Sequence, residues 1–130
     1  MKGFRGYVHS RKFLGERVPQ HVQNIVIRDY CKRNNLYFLL SAVEYKMPET
    51  YYMLKAVIKD LPSLDGIIFY TMFQLPCNSS ERLSIYQSIL IQGAQIHFSL
   101  EGLSIKKESD IVRIENIWKV KWAMHIATEP

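Results

Sequence analysis

The apolar pattern changes period several times along the chain, and each change marks an element. Residues 3–9 (GFRGYVH) form a first strand with Phe4, Tyr7 and Val8 as packing residues. Residues 10–18 are polar and broken by Gly15, which predicts a loop. Pro19 opens a helix, because the first turn loses nothing from a missing N–H. Val22, Ile25, Val26 and Tyr30 recur there at helical spacing, and Lys32, Arg33, Asn34 and Asn35 end it. Residues 36–43 (LYFLLSAV) read as a second buried strand, followed by a turn over residues 44–48. A second helix spans residues 49–61, with Tyr52, Leu54, Ala56, Val57, Ile58 and Leu61 on its apolar face and Pro62 as its stop.

Residues 65–76 (DGIIFYTMFQLP) are the most informative stretch. The apolar first half lacks polar alternation, as an interior strand covered on both faces must. Pro76 then fixes its own φ and biases Leu75 away from the helical region, so the chain leaves the sheet in a turn. Asn78 is a helix N-cap with Glu81 in the first turn. The third helix points Leu83, Tyr86, Ile89 and Leu90 inward and ends at Gly93. Residues 94–100 make a fourth strand that leaves the sheet at Glu101 and Gly102. The last helix, roughly residues 107–126, carries a stripe of Ile111, Ile114, Trp118 and Trp122, with Ile117 beside it. The β-α-β-α-β-α-β-α order predicts one α/β domain over residues 1–130. Its expected sheet is Rossmann-like, four-stranded and parallel, in order 2-1-3-4, with helices on both faces.

Bulk properties narrow the function classes. The net charge of +5 is compatible with nucleic acid or phosphorylated ligands, but it is scattered along the chain, which fits a basic solvated surface better. Cys31 and Cys77 form no Cys-x-x-Cys pair and read as free thiols, as in a reduced, cytoplasmic setting. No secretory signal is read at the N-terminus, and no apolar run approaches the roughly 18 residues of a membrane helix. Neither a G-x-G-x-x-G after the first strand nor a P-loop occurs, so no cofactor is expected. No histidine has ligand spacing, so no metal is expected either.

In a parallel sheet the strand ends converge on one edge, where ligands bind. That edge would gather His9, Ser10 and Arg11, then Glu44 and Tyr45, then Thr71, Phe73 and Gln74, then Glu101. The first helix adds its N-terminus, with Gln20 and Gln23 near one face and Arg17 beside it. Arg11 and Arg17 are candidate anion contacts or, taken singly, surface charges. Gln20, Gln23, Tyr45 and Gln74 are candidates for bonding ligand hydroxyls. Glu44 and Glu101 are either solvated loop acids or, sharing a crevice, an acid and a base. His9 is a further candidate. Ser10 is either a nucleophile or a loop hydrogen-bonder, with no adjacent base evident. His97 reads as a core residue, and His21 and His125 as exposed.

Two resemblances follow from these residues. Gly6-Tyr7, Gln23, Ile27-Arg28-Asp29-Tyr30, Asp65-Gly66-Ile67-Ile68-Phe69-Tyr70 and Ile96-His97-Phe98-Ser99-Leu100-Glu101 resemble the catalytic domain of serine recombinases (resolvases and invertases). That resemblance implies the fold and argues against the activity. The family's Gly-Tyr-x-Arg-x-Ser becomes Gly6-Tyr7-Val8-His9-Ser10, with His9 in place of the arginine and Ser10 one residue early. Its Leu-Asp-Arg-Leu-x-Arg becomes Met72-Phe73-Gln74-Leu75-Pro76-Cys77, which removes the arginines that neutralise the DNA phosphate.

Over nearly the whole chain, Gly3-Phe4-Arg5-Gly6-Tyr7, residues 17–24 (RVPQHVQN), residues 27–31 (IRDYC), Leu75-Pro76 and residues 94–102 (AQIHFSLEG) resemble the sporadic carbohydrate cluster family. The implied setting is bacterial surface-polysaccharide synthesis, of the lipopolysaccharide O-antigen kind. The expected function is therefore binding of an activated or phosphorylated sugar, such as a nucleotide sugar. No reaction comes with the resemblance. If there is one, the acids Glu44 and Glu101 and the missing cofactor motifs point to an isomerase- or epimerase-type proton transfer. The alternative is a catalytically degenerate resolvase-like protein that binds nucleic acid or a protein partner. Trp118 and Trp122 either cover the sheet or, if exposed, mark a face for homo-oligomerisation or for a partner, as in a non-catalytic subunit of a glycan-assembly complex that uses the last helix.

Overall fold

Gly66 enters the central strand at a point where no side chain fits. A Cβ there would sit 2.1 Å from the Gln95 carbonyl oxygen. From that residue the apolar run forms the middle of a sheet, as its lack of alternation requires. The computed structural model describes residues 2–44 and 51–128. In chain order they form β1 (Phe4–His9), α1 (Gln20–Arg33), β2 (Phe38–Glu44), α2 (Tyr52–Lys59), β3 (Gly66–Phe69), α3 (Ser79–Leu90), β4 (Gln95–Phe98), β5 (Leu103–Ile105) and α4 (Ser109–Thr128). Single 3-10 turns lie at Leu61–Ser63 and Met72–Gln74.

β1 pairs in parallel with β2 and β3, and β3 pairs in parallel with β4. β5 runs antiparallel to β4, so the sheet is mixed and five-stranded, in the order β2-β1-β3-β4-β5. The expected four-stranded parallel sheet is corrected to a five-stranded mixed one, in which the antiparallel β5 extends the expected 2-1-3-4 run of parallel strands to 2-1-3-4-5. The chain does not leave the sheet after β4. It reverses at Gly102, whose φ of +67° suits a residue without a Cβ and whose N–H donates to the Phe98 carbonyl at 2.9 Å. Three residues, Leu-Ser-Ile, are too short to show a strand period.

The two faces of the sheet are covered unequally. Ile27, Tyr30 and Cys31 of α1 pack with Phe4, Val8, Ile68 and Tyr70 on one face. Leu54 and Val57 of α2, Tyr86 and Ile89 of α3, and Ile111, Ile114 and Trp118 of α4 cover the other. Asn78 caps α3, accepting from the Glu81 N–H at 3.1 Å. On α2 and α3, Tyr52 (80% exposed) and Leu83 (37% exposed) face outward, although both were expected on apolar faces. The stripe on α4 is sheet cover: Trp118 is buried and Trp122 is half-buried against it, their rings stacked 6.2 Å apart. Both cysteines are free, Cys31 buried and Cys77 exposed. Among the described residues, no helix is long and apolar enough to cross a membrane.

Candidate functional site

Parallel pairing brings the ends of β1, β2, β3 and β4 to one edge. His9 and Glu44 are register partners there, and Phe69 and Phe98 are another pair. Beyond β3 the chain turns through Thr71 and the Met72–Gln74 turn, and beyond β4 it reaches Glu101. Tyr45 lies outside the described residues.

The two glutamines at this edge hold it together from inside. Gln23 Oε1 accepts from the His9 N–H at 3.3 Å and from Gln74 Nε2 at 2.8 Å. Gln23 Nε2 donates to the His9 carbonyl and to the Val18 carbonyl, both at 2.8 Å. All four hydrogen-bonding positions of that amide are used. Gln23 therefore has nothing left for a ligand hydroxyl, and the sequence expectation for it is corrected. Its work is to bind α1 to the end of β1, the first loop and the β3 turn. Gln74 takes the Tyr70 N–H on its Oε1 at 3.0 Å and keeps one amide N–H beyond its bond to Gln23.

Neither acid is a solvated loop carboxylate. Glu44 is buried, and its Oε2 accepts from the Met53 N–H at 2.7 Å, in the first turn of α2, where the helix dipole favours a negative charge. Its Oε1 is buried with no hydrogen-bond partner among the described residues. Glu101 accepts from the Thr71 hydroxyl at 2.5 Å and from the Met72 N–H at 3.0 Å, closing off the 3-10 turn. Burial pushes the Glu101 carboxyl above the usual range, and these hydrogen bonds pull back against it.

The remaining candidates separate. His9, Arg11, Lys12, Phe13, Tyr51, Phe73, Gln74, Cys77 and Trp122 are among the walls of a hollow of about 190 Å³. A neighbouring hollow of about 390 Å³ has Glu101, Thr71, Glu16, Lys121 and His125 in its wall and shares Phe13, Leu14 and Phe73 with the first. Ser10, Arg17, Gln20 and Glu44 line neither. Arg17 is exposed, and Ser10 and Gln20 are half-buried. Another hollow, of about 480 Å³ beside Lys106 and Lys107, lies at the end of α3 and hence at the opposite edge of the sheet.

The Arg11 guanidinium lies 4.6 Å over the Tyr51 ring and 3.4 Å from the Tyr7 hydroxyl. His9 is 2% exposed, and burial, then the charge of Arg11, lowers its imidazole to about 4, so it is neutral at pH 7. His97 is a core residue as expected. Its Nε2 donates to Gln95 Oε1 at 3.0 Å, so its Nδ1 accepts from the Tyr30 hydroxyl at 2.6 Å.

Whole-chain comparison agrees with this architecture. A structure described as a resolvase family site-specific recombinase from Streptococcus pneumoniae matches with a TM-score of 0.63 at 14% identity, covering 97% of this chain and 99% of that one. The fold is resolvase-like. At that identity the likeness concerns the fold alone. No family model matches the chain, and no curated protein matches it. The resemblance to the sporadic carbohydrate cluster family rests on the residues quoted for it.

On this resolvase-like frame the first loop holds the residues that sequence reasoning missed. Phe13 and Glu16 exchange both backbone hydrogen bonds, at 2.9 and 3.0 Å, around Leu14 and Gly15 with φ of 49° and 76°. Two positive φ values are the mark of a type I′ turn. The tip places Phe13 and Leu14 between the two hollows. Its signal was Gly15 following two apolar residues, hidden because Leu14 is an unusual residue for a left-handed position.

Proposed function

We propose that the chain binds an activated or phosphorylated sugar at the carboxyl edge of its sheet, as a cytoplasmic component of bacterial surface-polysaccharide synthesis. One observation carries this reading: the smaller hollow combines two cations, Arg11 and Lys12, with the aromatic rings of Phe13, Tyr51, Phe73 and Trp122. Cations hold a phosphate, and ring faces pack against the apolar face of a sugar while polar groups fix its orientation. A hollow of about 190 Å³ suits a monosaccharide phosphate, with the adjoining 390 Å³ hollow available to a nucleotide or a second sugar. The resemblance of residues 94–102 and 17–24 to the carbohydrate cluster family supports the same setting. For an isomerase- or epimerase-type step, Glu101 is the proposed proton carrier, because burial raises its carboxyl and it lines the second hollow.

Isothermal titration with glucose 1-phosphate and with a uridine diphosphate sugar tests the binding. Saturable heat is expected, weakened about tenfold or more in an Arg11→Ala, Lys12→Ala double variant, since hydrogen bonds to charged groups contribute about 1.5–3 kcal/mol. Absence of both heat and thermal stabilisation with every phosphorylated sugar tried would overturn it.

A second reading is favoured by the fold match: a catalytically degenerate resolvase relative that binds nucleic acid or a protein partner. The basic balance of +5 agrees with nucleic-acid binding. It predicts anisotropy changes with labelled duplex DNA at low salt that vanish steeply as salt rises. A flat titration at low salt removes the nucleic-acid form of that reading.

A further inference from the structure

We infer that the hairpin tip at Leu14 makes the site selective for a sugar with a terminal monophosphate over a nucleotide sugar. The inference rests on the binding reading above and narrows it, by excluding a diphosphate-linked nucleotide from the adjoining hollow. Leu14 holds a φ of 49°. Few residues other than glycine, asparagine and aspartate take that left-handed conformation, and the first position of a type I′ turn favours those three. A leucine there carries a backbone strain that glycine avoids.

Core packing does not account for it. Phe13 packs against the core on the α1 face, whereas Leu14, half-buried, packs with neither core cluster of the described residues. It is instead part of the wall of both the 190 Å³ and the 390 Å³ hollows. The tip is also fixed in place. Phe13 and Glu16 close it with two backbone hydrogen bonds, and the Phe13 ring stands 5.6 Å from the His9 ring and 5.9 Å from the Tyr70 ring. Strain kept at a fixed point between two concavities, with no core to serve, marks a place where side-chain bulk is used.

Charge and size say what that bulk divides. The described walls of the smaller hollow include Arg11 and Lys12 and no acid, whereas the larger sets Glu16 and Glu101 against Lys121. Charge acts across a hollow whichever side-chain atom faces it, so phosphate groups are drawn to the smaller one. A monosaccharide phosphate fills that hollow by itself. A nucleotide sugar carries its diphosphate between two bulky groups, and about 190 Å³ leaves room for one of them. The other has to cross the tip, where the walls common to both hollows are the bulky apolar residues Phe13, Leu14 and Phe73.

Titrations of the full chain with glucose 1-phosphate and with uridine diphosphate glucose give the selectivity as a ratio of affinities. The unaltered protein is expected to bind glucose 1-phosphate at least about tenfold more tightly, the lower end of what pocket bulk provides. Leu14→Gly should erase that ratio by tightening uridine diphosphate glucose, and Leu14→Met, which keeps the bulk, should preserve it. Glycine adopts the left-handed position without strain, so the hairpin should close in that variant, and Leu14→Asn supplies a second small residue suited to the same turn. Equal affinity for the two probes, or a ratio that Leu14→Gly leaves unchanged, overturns the inference and leaves sugar-phosphate binding standing. So does a ratio that falls only because glucose 1-phosphate binds more weakly, since Leu14 would then be a contact of the smaller hollow and no divider. No binding of either probe to the unaltered protein overturns the parent reading, and the inference with it.

Discussion

Glu115→Ala is expected to destabilise the protein by about 3–5 kcal/mol, the usual cost of leaving one member of a buried ion pair alone. Glu115 Oε1 and Oε2 accept from Arg82 Nη2 and Nε at 2.8 and 2.9 Å, with both side chains nearly out of solvent. Tyr86 adds its hydroxyl to Oε2 at 3.1 Å. Burial alone would raise the Glu115 carboxyl, but the hydrogen bonds and charge of Arg82 outweigh it, and the carboxyl sits below its usual range. Without Glu115, Arg82 would keep the Pro76 and Cys77 carbonyls and the Trp118 face, 4.0 Å away. Those neutral groups do not cancel its charge. Urea denaturation measures the loss. A double variant, Arg82→Met with Glu115→Leu, should regain most of it, because an apolar pair of similar volume avoids the desolvation cost altogether. A single-variant loss under about 1 kcal/mol would mean the pair is not desolvated as it stands here.

Acidification is expected to unfold the chain through His9 and His97. Burial lowers both imidazoles from 6.5 to about 4, helped by Arg11 for His9 and by Lys106 for His97. The unfolded chain therefore binds more protons than the fold between pH 6.5 and 4, and stability rises with pH across that window. Each histidine removes about 3 kcal/mol on going from pH 7 to pH 4, because every tenfold loss of proton affinity on folding is worth about 1.4 kcal/mol. The depressed Glu115 carboxyl acts in the same direction at lower pH, whereas the raised Glu101 opposes it. Two histidines together amount to a large part of a typical stability of about 5–15 kcal/mol. Denaturation midpoints taken from pH 7 to pH 4 should fall steeply, and His97→Gln should flatten the slope. A pH-independent midpoint over that range would show that neither ring is buried neutral.

Which parts of this were legible beforehand follows from the range of the forces involved. Local sequence marks the apolar strand of Gly66–Phe69, the Asn78 cap, the helix opened by Pro19 and the buried His97, because each rests on period, φ restriction or a capping group a few residues away. The alternation of strands and helices also predicts that the strand ends share an edge. The partners of the side chains at that edge are another matter. Gln23 reads as a ligand contact until Gln74, 51 residues on, is seen to take its last free position. Arg82 and Glu115 look like two surface charges on two helices, 33 residues apart, until α3 and α4 bring them together beneath Trp118. The chain's pattern determined by itself that there would be a sheet with helices on both faces and a polar edge. Tertiary packing alone decided the fifth strand, the hairpin at Leu14 and which polar groups at the edge are already satisfied, because hydrogen-bond saturation depends on neighbours that no local period encodes.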